Sequence, residues 1–131
     1  MTVAGFLRPG LLRGFVAEVA LAARRVVAAG TAQDQVTLGT AALAPVGVTV
    51  ESATAPGQTV TVATEGVVAV VAAGAIARLT AGSPTRVYAA ADGKVSATGT
   101  MPIGWMDTAS AAAAADGDVV TIRLEIDQAG S

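Results

Sequence analysis

One pattern occurs twice in the chain and constrains its fold more than anything else in it. Pro45-Val46-Gly47-Val48, followed by Pro56-Gly57-Gln58-Thr59-Val60-Thr61-Val62, returns as Pro102-Ile103-Gly104-Trp105 and Asp116-Gly117-Asp118-Val119-Val120-Thr121-Ile122. In both copies proline and glycine mark turns, and the apolar residues that follow alternate with period two, the spacing of a half-buried strand. Upstream of each copy lies a second shared piece, Arg25-Val26-Val27-Ala28-Ala29-Gly30 in the first and Arg86-Val87-Tyr88-Ala89-Ala90-Ala91-Asp92-Gly93 in the second. The pattern predicts two related β units, about residues 24–66 and 85–126, folded around a shared core.

Composition narrows what that core can be. The 131 residues suffice for one domain. Hydrophobic residues make up 53% of the chain, yet the only aromatics are Phe6, Phe15, Tyr88 and Trp105, so the interior is built from Val and Ala. Small and β-branched side chains favour closely spaced strands over large helices. The expectation is an all-β fold, a small β-barrel with an extended N-terminal arm.

Along the chain, residues 1–14 mix apolar anchors (Phe6, Leu7, Leu11, Leu12) with Arg8 and Arg13 and are punctuated by Gly5, Pro9-Gly10 and Gly14. Breakers at that spacing prevent a long helix. The segment reads as an extended arm whose apolar residues must find a groove on the same molecule or on a neighbour, or as a cover for one end of the barrel. From Phe15 a period of two places Phe15, Ala17, Val19 and Leu21 on one face, a lead-in strand. Strands follow at 24–29, 36–38, 45–50, 59–64 and 67–71. The last has no polar residue and predicts a strand covered on both faces, either central or at an interface. Gly82-Ser83-Pro84 connects the halves, Asp92-Gly93 is a hairpin turn, and residues 94–98, 102–107 and 119–126 complete the second unit. The run of alanines at 111–115 is too short to hold a helix alone. The domain division is an arm and lead-in strand at 1–23, a barrel at 24–127 and a short tail at 128–131.

The chemistry available is restricted. With no cysteine and no histidine, thiol and imidazole catalysis and the commonest zinc ligands are absent. Glu51, Glu65, Asp107 and Glu125 are acids of the kind glycosidic chemistry uses, but nothing in the sequence places two together. Asp116-Gly117-Asp118 resembles the start of a cation loop without the ligands that should follow, and reads as a turn. Lys94, just after the hairpin turn, is the residue a lipoyl or biotinyl carrier would modify, although it lies inside the second unit rather than between the two. Trp105, equivalent to Val48, is a candidate interface anchor; a lone Trp in a Val/Ala domain more often fills the core. No enzyme, cofactor, metal or small-molecule substrate is expected.

Charge points toward docking. The chain has eight basic and ten acidic residues, and residues 1–30 hold Arg8, Arg13, Arg24 and Arg25 against Glu18 alone. A basic lead precedes an acidic body, which disfavours nucleic acid as a partner and suits a complementary protein surface. The longest apolar run, residues 67–77, is far short of a membrane span. No export signal is seen, so a cytoplasmic place of assembly is expected.

The order Arg-Val-Val-x-x-Gly, Ala-Pro-Val-Gly-Val, Ala-Pro-Gly-Gln-x-Val-x-Val, Glu-Gly-Val-x-x-Val, Asp-Gly-Lys-Val, Pro-Ile-Gly-Trp and Gly-Asp-x-Val-x-Ile-x-Leu resembles tailed-phage capsid decoration proteins, also called capsid cement or head stabilisation proteins. It runs from about Arg24 to Ile126. The resemblance implies a β-barrel or β-tulip domain that binds the outer surface of an icosahedral head and staples neighbouring subunits of the major capsid protein. Such proteins commonly form homotrimers, and an N-terminal arm often pairs with capsid strands. By position that role falls to Phe6, Leu7, Arg8, Leu11, Leu12, Arg13 and Phe15. Removing residues 2–14 is then expected to leave a folded domain that no longer binds capsids. The alternatives are a barrel module of another assembly, such as a tail or baseplate, or a carrier domain.

Overall fold

The computed structural model describes residues 8–77, 85–107, 110–113 and 115–126, with side chains from Leu12 onward. Its strands are β1 (Arg8–Ala17), β2 (Val26–Ala29), β3 (Gln35–Leu38), β4 (Pro45–Thr49), β5 (Thr59–Val71), β6 (Arg86–Ala89), β7 (Val95–Ser96), β8 (Pro102–Met106) and β9 (Val119–Leu124). All belong to one sheet of order β1-β3-β2-β4-β5-β9-β8-β6-β7, in which β1 also pairs with β5. The first five strands therefore close into a barrel, and the other four hang from the second half of β5. The protein is all-β, as its Val-rich, Gly- and Pro-punctuated sequence predicts.

The two halves follow one pairing scheme. β1 runs antiparallel to β5 and parallel to β3, while β2 sits between β3 and β4. In the second half the end of β5 plays the part of β1: it runs antiparallel to β9, and Ala72 just beyond it makes a parallel bridge to Val95 of β7. β6 lies between β7 and β8 as β2 lies between β3 and β4. Even the irregularities coincide. Val27 faces Gly47 and Ala28 faces Pro45 across a bulge, and Val87 faces Gly104 and Tyr88 faces Pro102 across the same bulge. This register equates Val26 with Arg86 and Val27 with Val87, one residue away from the match that aligning Arg25 with Arg86 suggests.

The repeated Pro-x-Gly is a close-approach device. A Cβ at Gly47 would fall against the Ala63 carbonyl oxygen, and one at Gly104 against the Arg123 carbonyl oxygen, both far inside contact distance. Only glycine lets β4 and β8 lie so near the strand beside them. The turns behave similarly. Asp92 and Gly93 take φ of 60° and 68° between β6 and β7, the left-handed pair that a tight hairpin needs.

Two apolar clusters share β5. Phe15, Ala17, Val27, Val36, Val60 and Val62 fill the closed barrel. Val68, Val70, Val87, Ile103, Met106 and Ile122 form the second cluster, which also takes in Val26, Val48 and Ala63 from the first half. Regular alternation would put Val68 on the same face as Val62. The face switches instead in the stretch that contains two register shifts against β1 and Gly66 at φ 96°. A bulge re-aims a strand in this way, and here it lets one strand serve both cores. Ile103 is fully buried; truncating it to Ala would cost roughly 2–5 kcal/mol.

Three expectations change. β1 begins at Arg8 and pairs with β5 from Arg8 opposite Val67 to Val16 opposite Thr59, so the stretch read as a free arm is, from Arg8 on, a wall of the barrel. The main-chain bonds that a strand must make outweigh the breakers, because Pro9 and Gly10 sit at a bulge where regular pairing lapses. Residues 59–71 form one strand rather than two. Within it Val68 and Val70 are buried while Val67, Ala69 and Val71 are only half-buried, so its outer face is not fully covered. Within the alanine run, Ala113 makes an antiparallel bridge to Ile76, so tertiary pairing holds it, as its short length leads one to expect.

Candidate functional site

Residues directly opposite one another in neighbouring strands project from the same face of the sheet. Arg86 faces Trp105, Trp105 faces Arg123, Arg123 faces Val67, and Val67 faces Arg8. This row crosses β6, β8, β9, β5 and β1. The equivalent row of the first half is Val26, Val48, Ala63 and Leu12. There Val26, Val48 and Ala63 are fully buried because they pack into the cluster of the second half. In the second half no described part of the chain lies over the row: Arg123 is exposed, and Trp105 and Arg86 are half-buried.

Trp105 therefore does not fill the core, the reading its rarity favoured, but stands on the outer face. Its ring lies under the Arg86 guanidinium, 4.6 Å from the ring centroid, and its Nε1 donates to Glu125 Oε1 at 2.8 Å. The same carboxylate oxygen is 3.9 Å from Arg86 Nη1. A cation over an indole contributes about 0.5–1 kcal/mol at an exposed site, enough to hold the ring in one orientation. Arg86 Nε, although buried, has no hydrogen-bond partner among the described residues.

Beside the row opens a groove of about 740 Å³. It arises from the topology. β1 and β4 pair with the same residues of β5, Val62 and Ala63, and so take opposite edges. β9 shares Gly66 and Val67 with β1 and so takes the edge that β4 uses lower down. β4 departs after Ala63 and β9 arrives at Gly66, leaving Thr64 and Glu65 facing neither. Val46 and Ile126 form the walls, and Arg13, Arg123, Glu65 and Glu125 bring charge to the rim. Thr64 Oγ1, at the base, is a second buried polar atom with no partner among the described residues.

Of the residues assigned to partner contact from sequence, Phe6 and Leu7 lie outside the described residues. Arg8 and Leu11 are placed only as strand positions, opposite Val67 and Glu65. Leu12 is 49% exposed, and Arg13 reaches over the Phe15 ring at 4.9 Å and into the groove. Phe15 points inward and belongs to the barrel core. The groove and the Arg86–Trp105–Arg123 row were not legible in sequence, because the pairing that aligns them spans residues far apart in the chain.

The other singled-out residues have local employment. Lys94 is no exposed tip: its side chain is 19% exposed and its Nζ is 2.7 Å from Asp116 Oδ1. Asp118 accepts from the Ala115 N–H at 3.1 Å, and Gly117 takes φ 99°, so Asp116-Gly117-Asp118 forms a turn. Glu51 accepts from Thr61 Oγ1 at 2.8 Å, and no cluster of potential metal ligands occurs among the described residues.

Comparison with known proteins bears on the same strands. No curated protein matches the chain. Among solved structures it is similar to the N base of the head fiber protein gp8.5 of bacteriophage phi29, with a TM-score of 0.65 and 18% identity, over 89% of this chain and 95% of that one. At that identity the likeness speaks to the fold. Residues 13–124 match the family model of phage cement proteins, a span that starts within β1, ends on the last residue of β9 and takes in both halves of the duplication. By that match the chain belongs to the phage cement protein family.

Proposed function

We propose that the protein binds the outer surface of an icosahedral phage head and holds neighbouring major capsid subunits together, without catalysis. The observation that carries this reading is the family match across residues 13–124, which runs from within β1 to the end of β9 rather than over one motif. The fold suits such a brace. A closed barrel continued through one long strand into four further strands of the same sheet is a stiff body, and many identical copies with modest contacts to several subunits add up to strong reinforcement. A homotrimer is part of the proposal, since three copies around a three-fold position would each touch different subunits. Assembly would take place in the host cytoplasm, on heads already formed.

The test is to add the purified protein to heads that lack it and to follow their loss of DNA on heating. Protected heads retain DNA to a higher temperature, in proportion to bound copies. Heads that bind the protein yet lose DNA at an unchanged temperature would remove the bracing role, and heads that do not bind it would remove the reading altogether.

The likeness to the phi29 head fiber base favours a second reading, in which the domain anchors an appendage instead of bridging subunits. Electron cryo-microscopy of whole particles separates the two: bridging places density across subunit boundaries, whereas anchoring places a projecting stalk above the domain.

A further inference from the structure

We propose that the Arg86–Trp105–Arg123 row, together with the groove at its end, is the docking surface for an extended, carboxylate-bearing segment of the head protein to which this chain attaches. The inference rests on the head-surface reading above, but its evidence is independent of the family.

The duplication allows one position to be compared in two settings. In the first half the row is Val26, Val48 and Ala63, fully buried because the second half covers it. In the second half the row stays open among the described residues, and at these positions it carries two arginines and a tryptophan. Those side chains dominate the centres of protein interfaces, since they combine a large apolar body with directed donors.

Unmet hydrogen bonding points the same way. Arg86 Nε, in the row, and Thr64 Oγ1, in the groove lining, are two of the three buried side-chain atoms unpartnered among the described residues, Arg25 Nε being the third. Arg123 makes no ion pair or side-chain hydrogen bond with any described residue. Glu125 is shared between Trp105 and Arg86, so it offers Arg123 no dedicated counterion. Arg123, exposed and without a counterion among the described residues, is the donor an outside acceptor can reach, and carboxylates fit guanidinium donors best.

The groove indicates the shape of the occupant. Between the departure of β4 and the arrival of β9, neither strand places a residue opposite Thr64 or Glu65 of β5. An extended segment can lie along this opening while its acidic side chains reach Arg123 and Arg86. A nucleic acid would have to approach a chain of net charge −2 past Glu65 and Glu125, which disfavours it.

The experiment measures binding of the whole protein to heads that lack it, by co-sedimentation at several salt concentrations. Arg123→Glu and Trp105→Ala are expected to weaken binding tenfold or more. Arg123→Lys should lose less than Arg123→Glu, and Arg24→Glu, the same charge change elsewhere on the surface, should stay within twofold of the parent. Affinity of the parent should fall more steeply with salt than that of Arg123→Glu. Trp105→Phe, which keeps an aromatic ring but removes the donor, covers the case in which the alanine variant does not fold. Parent-like binding by both Arg123→Glu and Trp105→Phe would overturn the proposal. So would an Arg123→Glu variant that breaks up an oligomer of the parent in sedimentation equilibrium while binding heads unchanged, for the occupant would then be a second copy. Failure of the parent itself to bind heads would count against the head-surface function instead.

Discussion

At the scale of single residues the duplication shows what each position is asked to do, because the same site is filled twice. Thr49 and Met106 are equivalent, and both are buried. Met106 only fills space in its cluster, whereas Thr49 Oγ1 donates to the Ala22 carbonyl at 2.8 Å and accepts from the Arg25 N–H at 3.0 Å. It thus organises the connection between β1 and β2, where Arg24 takes φ 62°. Thr49→Val keeps the shape and removes both bonds, leaving two backbone groups unpaired. A loss of about 1–3 kcal/mol is expected, read as a fall in thermal midpoint of roughly 3–10 °C; an unchanged midpoint would contradict the role. In the same way Glu51 and Ser110 are interchangeable in what they do, since each accepts from the backbone N–H of an equivalent threonine, Thr61 or Thr121, with a different side chain.

At the scale of elements the controlling feature is how near β4 and β8 come to their neighbours. Gly104 stands opposite Leu124 with no room for a Cβ against the Arg123 carbonyl oxygen. Gly104→Ala must push β8 away from β9, an overpacking whose ordinary cost is about 1–3 kcal/mol, here at the top of that range because the obstacle is backbone. The same displacement would tilt Trp105 relative to Arg123. The variant should therefore unfold at a lower temperature and also show an altered emission maximum for its single tryptophan while still folded. Lost stability with unchanged emission would mean that the strain is taken up elsewhere. Gly74, where a Cβ would meet nothing within 4 Å, is the matched control and should tolerate alanine with little change.

At the scale of the whole molecule the halves are bound together by more than β5. The hairpin tip between β6 and β7 docks on the first barrel: the Gly93 N–H donates to the Gly39 carbonyl at 2.9 Å, and Arg25 Nη1 donates to the Asp92 carbonyl at 2.9 Å. β1 completes the barrel, with Phe15 and Ala17 in its core. Truncation consequently separates two roles that the sequence merges. Deleting residues 2–7 leaves β1 whole, and that variant should fold with a near-parental midpoint; any loss of head binding would then belong to Phe6 and Leu7. Deleting residues 2–14 removes most of β1, opens the barrel and should abolish cooperative unfolding, in contrast to the folded, non-binding domain that an independent arm would give. A cooperative transition in the 2–14 deletion would show that β1 is dispensable to the fold.

Local sequence carries most of the strands, their turns and the duplication, although it splits β5 in two and misses the start of β1. Alternation of Thr and Val at 59–62, the Asp92-Gly93 turn and the Pro-x-Gly pairs are local signals, and chirality and sterics read them within a few residues. It carried the family resemblance for the same reason, as an ordered series of such signals. Only the tertiary structure decided which faces are covered. Val48 and Trp105 occupy one position in the repeat, yet the first is buried because the second unit packs over it, while the second stands half-buried on the outer face of its own unit. Likewise Pro9, Gly10 and Gly14 look like the breakers of a loose arm until β5 provides a partner to pair with. Burial and pairing are settled by what arrives from elsewhere in the chain, so the groove and the arginine-tryptophan row became visible only once the strands were in register.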